Sequence, residues 1–103
     1  MFENKINGAY DYASFAVSNN TTNYNVATNQ SALFSLIKIA TKVFIWSDQT
    51  ISFSFNSTGY PAIPLNVANG ESPYEGKDII VVSNIFINNT SGSTANIKIL
   101  LGV

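Results

Sequence analysis

The chain contains neither cysteine nor histidine. Without them, Ser–His and Cys–His catalytic pairs cannot be assembled, and neither can a metal site built on histidine or thiolate. A disulfide framework is excluded as well, so cysteine usage does not reveal the redox compartment. Six carboxylates remain, and no motif pairs two of them as a glycosidase would require. We therefore predict a protein that is not an enzyme and has no cofactor.

Charge is also scarce. Only 11% of residues are charged, against the ~25% usual in soluble domains. The net charge is −1, and all five basic residues are lysines. Nucleic-acid binding relies on a basic patch and on arginine, and binding to an anionic membrane also relies on basic clusters, so we predict neither partner. Interface cores are depleted of charge, which favours burial of the Asn, Ser and Thr-rich surface against other proteins. A solvated β-domain is the alternative.

Long apolar segments and targeting signals are missing too. No run approaches the ~18 residues of a transmembrane helix. The N-terminus lacks the basic and apolar regions of a secretion signal, so we expect no signal peptide. Residues 1–8 are polar and predict an N-terminal arm, and residues 9–103 predict one domain.

What the sequence does contain is a series of short β-type segments. Residues 78–87 are apolar on both faces, which predicts a strand that is covered twice. With residues 95–101 they predict a hairpin whose loop places Gly92 at positive φ. Residues 42–46 and 51–55 predict a second hairpin, and residues 63–67 an edge strand because Pro64 is tolerated there. Further strands are predicted within residues 10–18 and 24–28.

Residues 31–40 are ambiguous between helix and strand. Leu33, Leu36 and Ile37 have helical spacing, whereas Leu33, Ile37 and Ile39 would share one face of a strand. The surrounding β pattern favours a strand. Seven or eight short strands with regular turn signals then predict an all-β fold, either an antiparallel β-sandwich or a small barrel.

Two groups of residues are predicted to contact a sister subunit or another partner. Tyr and Trp combine apolar bulk with a hydrogen-bonding group, and the long apolar run needs a cover for its second face. The predicted contact residues are Trp46, Tyr60, Tyr74, Ile80, Val82 and Phe86. As an alternative, Tyr10, Tyr12, Trp46, Tyr60 and Tyr74 could stack on sugars, although packing is favoured.

One loop also carries three carboxylates. Glu71, Glu75 and Asp78 could supply oxygen ligands to a hard cation. Their spacing matches no EF-hand loop, and solvated loop carboxylates are the favoured interpretation. We predict no metal site.

The second half of the chain resembles small β-sandwich structural proteins of tailed-phage virions. The resemblance is carried by SDQTISFSFNST at 47–58, ESPY at 71–74, SNIFINNTSGS at 83–93 and ANIKILL at 95–101. It covers roughly residues 47–103. The first half is similar only in general texture.

The resemblance implies an antiparallel β-sandwich of about seven or eight strands with a jelly-roll-like topology. It also implies a non-enzymatic virion protein, made in the host cytoplasm and incorporated into capsid, head fibre or tail. A capsid decoration or capsid-attached protein is the function we expect first. Its partners would be sister subunits, with a trimer as the first expectation, and the major capsid protein or another virion protein. The alternatives are a carbohydrate-binding module of a fibre and a minor tail or baseplate component.

Overall fold

The computed structural model describes residues 9–103, apart from the side chains at positions 79 and 80. The predicted arm, residues 1–8, lies outside the described residues. The described residues form eight strands and two short helical segments. The strands are β1 (Asp11–Val17), β2 (Thr21–Asn25), β3 (Ala40–Ser47), β4 (Ile51–Phe55), β5 (Ile63–Leu65), β6 (Tyr74–Val82), β7 (Ile85–Asn89) and β8 (Ala95–Gly102). The helical segments are α1 (Val26–Asn29) and a 3-10 turn at Val67–Asn69.

The strands form two antiparallel sheets in the order of a jelly roll. One sheet has the order β1-β8-β3-β6 and the other β2-β7-β4-β5. Strands 1 and 8, 2 and 7, 3 and 6, and 4 and 5 are therefore neighbours, as in one long hairpin that has been wrapped around itself. This confirms the predicted all-β antiparallel sandwich and its jelly-roll-like topology.

The core lies between the two sheets. Alternate residues of each strand point inward, so β8 buries Ala95, Ile97 and Ile99 while β4 buries Phe53 and Phe55. Complete burial of an Ile or Phe side chain stabilises the fold by about 1.5–3 kcal/mol. The polar residues Asn88 and Ser52, which are paired in neighbouring strands, remain only half-buried.

The two predicted hairpins are wrong. Residues 78–87 are not one strand: β6 ends at Val82, β7 begins at Ile85, and the chain changes sheet between them. Consequently β7 and β8 lie in different sheets, and so do β3 and β4. The apolar run has two faces because the phase of the alternation changes at this crossing. Val82 points inward before it, and Ile85 and Ile87 point inward after it.

The strand predicted at residues 31–40 is also wrong, since β3 begins only at Ala40 and the residues before it form turns and bends. Leu33, Phe34 and Ile37 are nevertheless buried. Their backbone needs no neighbouring strand, because the side chain of Asp11 accepts the N–H groups of residues 35–37. The chain therefore buries apolar side chains here without regular structure.

Three further local predictions are confirmed wholly or in part. The second strand occurs but covers Thr21–Asn25, because the Asn25 side chain accepts the N–H of Thr28 and starts α1. The edge strand predicted at residues 63–67 is confirmed as β5, with Pro64 exposed, but it ends at Leu65 because a 3-10 turn begins at Val67. Gly92 has a φ of 97°, as predicted for its turn.

Candidate functional site

The two ends of the sandwich differ in character. Antiparallel strands place the connections 26–39, 56–62 and 83–84 at one end, together with Tyr10 just before β1 and Val103 just after β8. We call this the apolar end. The opposite end, the polar end, holds the connections 18–20, 48–50, 66–73 and 90–94. Hydrogen bonds confirm the grouping: Asp48 is bonded to Asn96 at the polar end, and Asn56 to Ser83 at the apolar end.

Exposed apolar side chains are concentrated at the apolar end. The described residues include eight exposed large apolar side chains, of which six lie there. The six are Tyr10, Leu36, Ile39, Tyr60, Val81 and Val103. The polar end has only Val67 among them, at 36% exposure, whereas Leu36 reaches 65%. Because exposed apolar side chains gathered in one region are typical of protein interaction sites, this end is the candidate functional site.

The long loop of the apolar end is fastened by a buried carboxylate. Asp11 begins β1 and is only 6% exposed. Its Oδ2 accepts hydrogen bonds from the N–H groups of Ser35 at 2.9 Å, Leu36 at 3.1 Å and Ile37 at 2.9 Å. These bonds hold the backbone of Leu36 in place while its side chain points to solvent. The apolar surface is therefore presented on an anchored loop.

Asparagine side chains fasten the other two connections of this end. Asn56 Oδ1 accepts the N–H of Ser83 at 2.7 Å, and its Nδ2 donates to the carbonyl of Val81 at 2.8 Å. Asn84 Oδ1 accepts the N–H of Ala27 at 3.0 Å. These two amides therefore bind the chain to itself.

Trp46 lies on the outer face of the first sheet. It is half-buried, and the ammonium of Lys98 lies 5.1 Å from the centre of its ring. Ser14, Lys98 and Trp46 are directly opposite one another on β1, β8 and β3. In the next row on the same face lies Tyr12, which is exposed. This face therefore carries Tyr12 and Trp46, with the Lys98 ammonium over the Trp46 ring.

The other predicted contact residues are scattered. Tyr60 is exposed at the apolar end. Tyr74 packs inward, with its ring centre 5.0 Å from that of Phe53, and burial raises the pKa of its phenol. Val82 is a core residue with no exposed surface, so it has nothing to offer a partner. Phe86 is half-buried on the outer face of the second sheet.

Ile80 belongs to β6, but its side chain lies outside the described residues. The prediction for Ile80 therefore stays a prediction. The structure also adds residues that sequence reasoning missed, namely Leu36, Ile39 and Val81. Their only signal is apolar character, and it becomes informative once the topology assigns them to one end.

The carboxylates of the 71–78 segment do not converge. Glu71 accepts the N–H of Asn66 at 2.7 Å, and Asp78 lies 3.8 Å from the ammonium of Lys42. Within residues 9–103 there is no group of three or more potential metal ligands. In the same part of the chain the helical segments are four and three residues long, and neither is long enough to cross a membrane.

Comparison with known proteins found no matching family model, no matching curated protein and no matching solved structure.

Proposed function

We propose that this chain is a non-enzymatic structural protein of a phage virion, most directly a capsid decoration or capsid-attached protein. It acts by burying its apolar end against protein surfaces, either sister subunits in a homo-oligomer, with a trimer first, or the major capsid protein. The observation that carries the proposal is the presence of six of the eight exposed large apolar side chains at one end.

Three further features support the proposal. Residues 47–103 resemble small virion β-sandwich proteins, and jelly rolls are common in capsids. The anchored backbone around Leu36 presents an apolar side chain with little loss of conformational freedom on binding, because Asp11 already orders the loop. The polar end, by contrast, has a surface of Asn, Ser and Asp that is well suited to solvent.

The experiment compares charge substitutions at the two ends. Leu36→Glu and Ile39→Glu place a carboxylate in the apolar surface, and Val67→Glu is the matched control at the polar end. Native mass is measured by light scattering over a tenfold concentration range, and attachment is measured by co-sedimentation with virions of the phage that encodes the protein. Circular dichroism verifies the fold of each variant.

We expect Leu36→Glu and Ile39→Glu to weaken self-association, attachment to particles, or both. The apparent affinity of the weakened contact should fall at least tenfold, seen as a lower native mass or as less protein sedimenting with particles. Val67→Glu should change neither. Labelled antibody on particles then distinguishes capsid from tail or baseplate. Failure of both apolar-end variants to change either quantity would overturn the proposal.

A second candidate function is sugar binding on the outer face of the first sheet. Tyr12 and Trp46 supply accessible rings there, and Lys98 adds a charged hydrogen-bond donor. Trp46→Ala should then abolish glycan-array binding while the fold is retained, with Tyr60→Ala as the control. Tyr74 is unsuitable for this test because its ring packs against the core.

A further inference from the structure

The four outer edges of the two sheets are protected to different degrees. Among residues 9–103, the edge strands are β1 and β6 in one sheet and β2 and β5 in the other. An edge strand presents unpaired N–H and C=O groups, and native proteins discourage unwanted pairing with short strands, proline, charge or bulges. The way each edge is built therefore indicates whether pairing is prevented or permitted.

Three of the edges carry such devices. β5 has only three residues, and the middle one is Pro64. The pairing of β2 with β7 shifts register between Thr21 and Tyr24, where Asn23 has a φ of 55°. β6 contains Lys77 and Asp78, with a φ of 56° at Asp78, beside a register irregularity in its pairing with β3. Each of these features interrupts a regular ladder.

β1 has none of them. All seven residues pair with β8 in unbroken register, and the strand contains no lysine, proline or bulge. Its single charged side chain, Asp11, is turned to the loop of residues 35–37. Within residues 9–103 no strand lies beyond β1. Tyr12, Ser14 and Ala16 leave the outer face of this edge exposed.

The sequence of β1 is also complementary to itself. In an antiparallel pair, opposite residues share a face, and a twofold axis at Ser14 is the register that uses all seven residues. Tyr12 then lies opposite Ala16 of the partner subunit on the outer face, and Phe15 lies opposite Ala13 of the partner subunit on the inner face. A large side chain meets a small one on both faces.

We propose that β1 pairs with β1 of a second copy of this chain, antiparallel about a twofold axis at Ser14, and so joins two four-stranded sheets into one. This contact is separate from the apolar end and goes beyond the proposed function. A twofold contact generates dimers, so in a particle where the apolar ends form trimers it links one trimer to the next.

A single introduced cysteine tests the geometry directly, because the full chain has none of its own. In Ser14→Cys the two sulfurs would meet across the axis, where opposite Cβ atoms are about 4.5–5.5 Å apart. We expect mild oxidation to give a covalent dimer at least tenfold faster than in Thr94→Cys. Thr94 is an exposed control in the loop between β7 and β8. Equal rates in the two variants would overturn the proposal.

Charge at the same position gives a second test. Ser14→Lys and Ser14→Glu each place like charges opposite one another, whereas a mixture of the two variants places opposite charges there. Native mass spectrometry should show heterodimers in excess of both homodimers, and Thr94→Lys mixed with Thr94→Glu should show no excess. A statistical distribution from the Ser14 pair would contradict twofold pairing.

The two proposals fail separately. Leu36→Glu should leave cross-linking of Ser14→Cys unchanged if the β1 contact is independent of the apolar end. Loss of cross-linking in Leu36→Glu would show that association depends on the apolar end and would overturn the β1 contact as an independent interface.

Discussion

Asp11 Oδ2 accepts a hydrogen bond of 2.9 Å from the backbone N–H of Ile37, joining the first residue of β1 to a loop 26 residues further along the chain. The same oxygen accepts the N–H groups of Ser35 and Leu36. One buried carboxylate thus replaces the partner strand that this segment lacks. It also satisfies backbone groups beside the buried side chain of Ile37.

We predict that Asp11→Ala destabilises the protein by about 2–4 kcal/mol, because hydrogen bonds to charged groups contribute about 1.5–3 kcal/mol and the buried N–H of Ile37 loses its acceptor. Asp48→Ala is the control. Asp48 also accepts two hydrogen bonds, both from Asn96, but in an exposed setting where water can replace them. We expect it to cost about 1 kcal/mol. Urea denaturation measures both values, and similar costs would contradict the role assigned to Asp11.

The contact between Asp11 and this loop also shows which part of the fold the sequence pattern does not predict. Alternation identified strands such as β4 because Ile51, Phe53 and Phe55 all point into one core. The loop of residues 30–39 shows no comparable signal. Leu33, Phe34 and Ile37 are buried there while the backbone is held by a hydrogen-bonding side chain in β1, and that long-range pairing leaves no periodic trace.

The crossing between β6 and β7 was missed for a related reason. Val82 and Ile85 are both buried, but they point inward from different sheets. A two-residue interruption reads locally as part of one strand, whereas the sheet order depends on the whole chain. The candidate site likewise depends on the whole topology. Tyr60 is predicted from its residue type, whereas Leu36 and Ile39 are recognisable only because their loop lies at the same end as the loop of Tyr60.

Alkaline pH should weaken the fold through Tyr74. Burial raises the pKa of its phenol above the ordinary value of about 10, since phenolate is poorly solvated beside the core. Above pH 10 the unfolded chain releases this proton before the folded chain does, so the free energy of unfolding falls as pH rises. Below pH 10 the group contributes no pH dependence.

We predict that Tyr74→Phe loses stability less steeply than the wild type between pH 9 and 11, the range around the ordinary tyrosine pKa of about 10. Chemical denaturation at each pH measures the slopes. Tyr60→Phe removes an exposed phenol from the same protein and should follow the wild type. Parallel curves for Tyr74→Phe and the wild type would show that Tyr74 does not link stability to pH.

Asn56 combines a backbone role with a side-chain role. Its φ is 70°, a conformation that asparagine tolerates better than alanine, and its amide fastens the crossing between β6 and β7. We expect Asn56→Gly to cost about 1–2 kcal/mol through the lost hydrogen bonds. Asn56→Ala should cost about 1 kcal/mol more, because it adds strain at positive φ. Equal costs in urea denaturation would exclude the backbone contribution.

Asn89 is fully buried at the end of β7, so we expect substitutions there to be poorly tolerated. Its Nδ2 donates to the carbonyls of Val17 at 2.9 Å and Ser93 at 2.8 Å. Asn89→Asp keeps the shape but turns a carboxylate oxygen toward carbonyl oxygens that can only accept. We predict a loss of about 3 kcal/mol or more, seen as a lower urea midpoint or as failure to fold.

The neighbouring Asn88 provides the matched control for that substitution. Its Nδ2 donates to the hydroxyl of Ser52 at 3.3 Å, and its Oδ1 accepts the N–H of Asn23 at 2.8 Å. A hydroxyl can rotate and donate to a carboxylate, whereas a carbonyl has no proton to give. Asn88→Asp should therefore cost no more than about 1 kcal/mol. If the two Asn→Asp variants were equally stable, the direction of hydrogen bonding at Asn89 would not be what holds β7 to the end of β1.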